Sequence, residues 1–140
     1  MAAGPVVRVP AGDGFTTRER GEVRRALQYA GEASGLKFAV VVREVDGPLR
    51  PYAESVQAAM EDPPRSVLVV VDPVARGLEI VTGARARRRI DDASCDSVAA
   101  AIVRATGEGG VSRGLVMGLQ QLGQIAGPPQ RRRTGPPVTG

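Results

Sequence analysis

Two uninterrupted apolar runs, Phe38–Val42 and Val67–Val71, stand out in the hydropathy pattern of the chain. Both are apolar throughout and rich in β-branched valine, which is typical of strands covered on both faces. After the second run, Asp72-Pro73 supplies a turn, and Gly77 ends it before the apolar stretch Leu78–Val81. The pattern therefore predicts a buried strand that returns antiparallel as a hairpin.

Four further segments have the three- and four-residue spacing of amphipathic helices. The first helix is predicted to begin at Thr16, where Glu19 completes a capping box, and to end at Gly35. The second is predicted from about Pro51, and Gly107–Gly110 separates the last two. The predicted apolar faces are Val23, Leu27 and Ala30; Tyr52, Val56, Ala59 and Met60; Cys95, Val98, Ala99, Ile102 and Ala105; and Val111, Leu115, Leu119, Leu122 and Ala126.

This order of elements predicts an α/β fold. The strand–helix–strand unit between Phe38 and Val71 favours a right-handed crossover and a parallel strand pair, to which the hairpin adds an antiparallel strand. We expect a three-layer α/β/α sandwich with a small mixed sheet over residues 14–126. Residues 1–13 are predicted to be a flexible segment with a short edge strand at Val6–Val9, and residues 127–140 a disordered basic tail rich in Pro and Gly.

Composition excludes several kinds of chemistry. The chain has no His, which removes Ser-His-Asp triads, Cys-His dyads and the ordinary zinc or copper sites. Its one cysteine, Cys95, cannot form an internal disulfide, and its place on an apolar helix face indicates a buried structural thiol. The N-terminus lacks the apolar core of a secretory signal, and no apolar run is long enough for a membrane span, so we expect a cytoplasmic protein.

The positive charge is concentrated in the tail. The formal net charge is +4, of which Arg131, Arg132 and Arg133 supply 3, so residues 1–130 carry only +1. A nearly neutral folded part with few aromatic residues argues against nucleic acid as the partner. The tail itself has two interpretations: it binds RNA, a membrane or a protein partner, or it is simply a solubilising extension.

Three aspartates are candidate ligands for a hard cation such as Ca²⁺ or Mg²⁺. Asp72 ends a buried strand, the position at which ligand sites of α/β sheets tend to lie, and Asp91 and Asp92 follow the arginine-rich segment. The competing interpretation is structural. Asp72 would then bind its own turn backbone, and Asp91 or Asp92 would cap the next helix.

The arginine run (Arg85, Arg87, Arg88 and Arg89) is a candidate anion-binding or partner-binding surface. Guanidinium groups match carboxylates and phosphates in bidentate geometry, and Gly83 just before the run leaves room for an anion pocket. The alternative is a solvated face whose charges pair with Asp91 and Asp92.

Several segments in this order resemble the TPM-domain superfamily, which has a thylakoid acid phosphatase-like fold, and are most similar to an uncharacterised actinobacterial branch of it. They are FTTRERGEVRRAL, SGLKFAVVV, PYAESVQAAM, SVLVVVDPVARGLEIVTG, RRRIDDASC and RGLVMGLQQLG. The resemblance implies an α/β/α sandwich with an acidic pocket at the loop ends of the sheet, and members reported as acid phosphatases, Ca²⁺ binders or assembly factors of membrane complexes. The pocket acids match at Asp72, Asp91 and Asp92, whereas Gly110 stands where members carry a further Asp.

The leading hypothesis is a non-catalytic protein-binding module with no required cofactor, which docks a partner through the arginine run and Arg131–Arg133. The alternative is a weak phosphatase or Ca²⁺-binding domain. In that case Asp72, Asp91 and Asp92 would hold the cation while the arginine run orients phosphate. The sequence offers no recognisable nucleophile for that reaction.

Overall fold

The computed structural model describes residues 6–8 and 15–129, which form a four-stranded sheet with helices on both faces. The strands are β1 (Val6–Arg8), β2 (Lys37–Val42), β3 (Ser66–Asp72) and β4 (Gly77–Thr82), and the helices are α1 (Thr17–Ser34), α2 (Leu49–Ala58), α3 (Asp92–Gly109) and α4 (Val111–Ala126). Single 3-10 turns at Pro63–Arg65 and Ala86–Arg88 precede β3 and α3. Among the helices of this part of the chain, none is both long and apolar enough to cross a membrane.

The sheet is mixed, in the order β1-β2-β3-β4. β1, β2 and β3 are parallel, and β4 returns antiparallel to β3. The predicted parallel pair and hairpin are thereby confirmed, and β1 adds a third parallel strand beside β2. Lys37 pairs with Ser66 at one end of the sheet, and Asp72 pairs with Gly77 at the other. We call these the Ser66 end and the Asp72 end.

The two faces of the sheet have separate cores. Helices α1, α3 and α4 cover one face and bury the side chains of Val40, Val69 and Ile80. The single helix α2 covers the other face, where Val41, Leu68, Val70 and Val81 pack around Ala53. All seven residues of β3 are buried, as expected for a strand enclosed between two layers. The structure is therefore the three-layer α/β/α sandwich that the sequence predicts.

Local signals set most helix boundaries. The capping box of α1 is present: the Thr16 hydroxyl accepts from the Glu19 amide at 3.0 Å, and the Thr16 amide donates to Glu19 Oε1 at 2.8 Å. Gly35 ends this helix with a φ of 77°. The break predicted at Gly107–Gly110 is shorter in the structure, because α3 continues through Gly109 and the chain turns only at Gly110, where φ is 95°.

Gly83 lies where the loop before β3 packs against the end of β4. The Gly83 amide donates to the carbonyl oxygen of Ser66 at 2.9 Å, and the Arg85 amide donates to that of Pro64 at 2.8 Å. A Cβ atom at Gly83 would overlap the carbonyl oxygen of Pro63 and approach that of Pro64 to 2.6 Å. Only glycine permits this contact, which holds the Ser66 end of the sheet together.

We therefore expect Gly83→Ala to lower the free energy of unfolding by about 2–4 kcal/mol, because rigid backbone must move to make room. Gly107→Ala is the control, since a Cβ there meets no atom within 4 Å and the position is helical. That change should raise stability by about 0.5–1 kcal/mol. Urea unfolding of both variants measures the two effects, and a Gly83→Ala protein as stable as the wild type would contradict the packing described here.

Candidate functional site

The Asp72 carboxylate accepts hydrogen bonds from three backbone amides around it. Asp72 Oδ1 accepts from the amides of Val74 and Ala75, and Oδ2 accepts from the amide of Val45, each at 3.0 Å. These hydrogen bonds, with that of Ala75 the largest contributor, lower the pKa of Asp72 below its ordinary value. The side chain joins the β3–β4 turn to the loop after β2, which is the structural role that the sequence left as an alternative.

Asp91 and Asp92 lie at the opposite end of the sheet. Asp91 is the N-cap of α3 and accepts from the Ser94 amide at 2.8 Å, a bond that lowers the pKa of the Asp91 carboxyl. The Asp92 side chain is 83% exposed and faces Arg87, with Arg87 Nε 3.7 Å from Asp92 Oδ1.

These three aspartates are not brought together. The seven residues of β3 separate Asp72 from the Ser66 end by roughly 20 Å. Within residues 15–129, no cluster of three or more His, Cys, Asp or Glu side chains is arranged to hold a metal ion. A single acidic pocket built from Asp72, Asp91 and Asp92 is therefore not formed.

Removing the Asp72 carboxylate should destabilise the fold. We expect Asp72→Asn to cost about 1–3 kcal/mol at neutral pH, because backbone amides lose a charged acceptor. The lowered pKa means that the ionised side chain stabilises the fold above the ordinary Asp pKa of 3.8, and that this contribution is lost as the pH falls through the folded-state value.

The difference in the free energy of unfolding between wild type and Asp72→Asn should accordingly shrink below about pH 4. Thermal unfolding across a pH series measures it. Asp46→Asn, which removes an exposed carboxylate from the neighbouring loop, is the control and should stay close to the wild type throughout. A pH-independent difference between wild type and Asp72→Asn would contradict the assigned role.

A Ca²⁺ titration tests the metal hypothesis directly. Because the three aspartates lie at two ends of the sheet and Asp72 already accepts from three amides, we expect no common saturable shift of their backbone amides in NMR spectra. Mg²⁺ in place of Ca²⁺ should give the same result. Saturation of Asp72, Asp91 and Asp92 with one shared affinity would contradict the described geometry.

In the arginine run, Arg87 and Arg89 are engaged with other groups of the protein, whereas Arg85 and Arg88 are not paired with a described carboxylate. Arg85 and Arg88 are exposed, and no carboxylate of residues 15–129 lies within ion-pair distance of either. Arg87 donates to the Thr82 carbonyl oxygen at 2.9 Å as well as facing Asp92. The alternative predicted that the arginines pair with Asp91 and Asp92. Within residues 15–129, this pairing is present for Arg87 alone.

Arg89 is bound to the end of α4. Its Nη2 donates to the carbonyl oxygens of Ala126, Gly127 and Pro128 at 3.0, 2.8 and 2.8 Å, and Nε donates to that of Ala126 at 3.2 Å. A cation at a helix C-terminus satisfies carbonyl groups that have no partner within the helix. We call this contact the Arg89 clamp. The sequence predicted anion binding for Arg89, whereas the structure uses its guanidinium to hold the chain after α4.

The clamp directs the start of the tail across the Ser66 end. Pro129 lies against Gly35, so close that a Cβ on Gly35 would be 3.1 Å from Pro129 Cβ. The Gly35 carbonyl oxygen also accepts from Arg65 Nη2 at 3.1 Å, and Arg65 directly precedes β3. The predicted tail residues Arg131, Arg132 and Arg133, like the rest of residues 130–140, lie outside the described residues.

A groove of about 710 Å³ opens beside β2 at the same end. Its walls come from the second half of α1, the first residues of β2 and the end of α2, with Leu36, Phe38, Val56 and Met60 among the lining residues. We call it the β2 groove. The sequence pattern could not predict it, because it arises at the edge of β2, between α1 on one face of the sheet and α2 on the other.

The charged rim of the β2 groove carries Glu32, Lys37 and Glu61. Lys37 Nζ lies 3.7 Å from Glu61 Oε1, and Glu32 Oε2 accepts from Gln28 Nε2 at 3.2 Å. All three charged residues are exposed. The rim thus has one more carboxylate than cation.

The buried thiol offers no chemistry. Burial, with a smaller contribution from the charges of Asp92 and Asp96, raises the pKa of Cys95 to about 11. The side chain is buried on α3. A thiol in this state is a poor nucleophile at neutral pH, which agrees with the structural role expected from its helix face.

Comparison with known proteins supports the fold and one family. The profile of DUF5130, a domain of unknown function, matches residues 5–123. No curated protein matches the chain.

Among solved structures, the BA42 protein from the psychrophilic bacterium Bizionia argentinensis is similar over 85% of this chain and 88% of its own, with 16% identity and a TM-score of 0.72. The N-terminal domain of a Corynebacterium glutamicum protein is similar over 94% of this chain and 88% of its own, with 12% identity and a TM-score of 0.71. The N-terminal domain of a P. gingivalis protein is similar over 86% of this chain and 80% of its own, with 16% identity and a TM-score of 0.69. At these identities the likeness extends to the fold alone, and none of the descriptions mentions the TPM-domain superfamily.

Proposed function

The chain belongs to the DUF5130 family, and we propose that it is a non-catalytic protein-binding module whose Ser66 end docks an acidic partner. The Arg89 clamp is the observation that carries this proposal. It holds the chain after α4 at the end of the sheet where Arg85 and Arg88 are exposed. Arg131–Arg133 follow two residues after Pro129, so the proposal joins both groups of arginines in one docking surface.

The chemistry of this surface favours carboxylates on the partner. Guanidinium groups form paired, charge-assisted hydrogen bonds with carboxylates, and Arg85 and Arg88 have no such partner among the described residues. The tail adds three arginines on a Pro- and Gly-rich segment that can adapt to the partner on contact. Residues 1–130 carry a net charge of only +1, so the tail arginines supply most of the excess positive charge that would attract an acidic partner.

The same residues give little support to catalysis. A guanidinium stays protonated at physiological pH and cannot accept a proton, so the arginines supply neither base nor nucleophile. Asp72 is engaged with three amides at the other end of the sheet, and the Cys95 thiol is buried with a raised pKa.

We also propose that the chain is a member of the TPM-domain superfamily and that it is cytoplasmic. In this proposal residues 14–126 form the domain and residues 127–140 form a binding arm. The order of helices and strands supports membership of the superfamily. Protein is favoured over nucleic acid because the docking surface offers guanidiniums without the exposed aromatic rings on which bases stack.

A charge-reversal experiment tests the surface. We expect Arg85→Glu/Arg88→Glu to weaken binding of a synthetic poly-glutamate peptide by tenfold or more, on the order of 1.4 kcal/mol, because two charge-assisted contacts become repulsive. Arg24→Glu/Arg104→Glu is the matched control. It changes the net charge equally at exposed positions of α1 and α3 away from the Ser66 end, and should reduce affinity far less.

Fluorescence titration at two salt concentrations gives the affinities, and circular dichroism confirms that both variants fold. Equal losses in the two variants would mean that only overall charge attracts the peptide, and would overturn the proposal. A peptide that binds both variants as tightly as the wild type would overturn it too.

A further inference from the structure

The β2 groove is an apolar cleft whose occupant the chain itself can supply. Leu36, Phe38, Val56 and Met60 line it, and β1 begins its pairing only at Ala39. The first two residues of β2 therefore border the groove beyond the start of the β1 ladder. A cleft of this kind suits an extended segment that carries a few apolar side chains.

The described chain ends beside this groove. Pro129 contacts Gly35, the residue immediately before Leu36 of the groove wall. The remaining segment, Gln130–Gly140, has 11 residues. Fully extended, a segment of that length spans up to about 36 Å, which is ample for a groove that begins next to its first residue.

The segment and the groove are complementary in charge and polarity. Arg131–Arg133 would pass the rim, where Glu32 and Glu61 outnumber Lys37. Pro136, Pro137 and Val138 follow, and two adjacent prolines favour the polyproline conformation, which loses little entropy when it binds an apolar cleft.

We propose that Gln130–Gly140 binds in the β2 groove of its own chain, with its arginines at the carboxylates of the rim and Pro136–Val138 against the apolar wall. The covalent connection supplies a high effective concentration, so modest contacts suffice. This inference stands apart from the proposed docking of an acidic partner. If both hold, the partner competes with Glu32 and Glu61 for the same arginines and releases the segment from the groove.

A spin label on the tail of the full-length chain tests the proposal. A nitroxide is attached at Val138→Cys, and the buried Cys95 with its raised pKa stays unlabelled. We expect the amides of residues 31–38 and 55–60 to lose most of their peak intensity. A label at Val74→Cys, on the exposed turn at the Asp72 end, is the control and should leave those amides unaffected.

A charge-reversal variant then separates groove binding from chance proximity. Glu32→Lys/Glu61→Lys should restore the intensity of the groove amides in the Val138-labelled chain. Glu44→Lys/Asp46→Lys makes the same change of net charge at exposed positions after β2, towards the Asp72 end, and should restore nothing.

Three results would overturn the proposal. In the first, the groove amides keep their intensity with the tail label. In the second, a label at Ala3→Cys broadens them and the tail label does not, which would make the N-terminal segment the occupant. In the third, broadening also appears when labelled chain without isotope is mixed with isotope-labelled wild type, which would make the occupant a tail from a second copy.

Discussion

The complete burial of β3 organises both layers of helices and both neighbouring strands. Every residue from Ser66 to Asp72 is buried, so the strand needs neighbours on both edges and helices on both faces. Three helices meet this need on one face, and α2 alone meets it on the other. The β2 groove opens at the edge of β2 between these two layers, where β1 pairs only from Ala39 onwards.

The hairpin determines which charges can act together. Because β4 runs back along β3, the chain leaves the sheet at the end opposite to Asp72, and the arginine run follows at the Ser66 end. Gly83 fixes this return by lying directly against the Pro63 and Pro64 carbonyls. The Arg89 clamp then brings the C-terminus of α4 to the same place. The fold thereby separates Asp72 from the arginine run and holds residues 126–128, which lead into the tail, at the Ser66 end.

Local chemistry made much of the fold predictable. The apolar runs predict β2 and β3, and Thr16, Glu19 and Gly35 predict the limits of α1, because each signal acts within a few residues. The arrangement of the candidate site was harder to predict from the sequence. A hairpin sends Asp72 and the residues after β4 to opposite ends of the sheet, whereas the resemblance to a family with an acidic pocket grouped Asp72 with Asp91 and Asp92. Contacts between distant segments, such as Arg89 with Ala126, leave no local pattern, and Arg89 resembles its exposed neighbours in sequence.

If the arginine run and the tail form one docking surface, a spin-labelled acidic peptide will approach both of them when it binds. The peptide, with a nitroxide at its middle, is added to the isotope-labelled full-length chain, and amide peak intensities are compared with those in the presence of the reduced label. A shared docking surface predicts saturable broadening of the amides of residues 83–89 together with those of residues 131–133. Broadening confined to the tail, or spread evenly over α1 and α3, would contradict it.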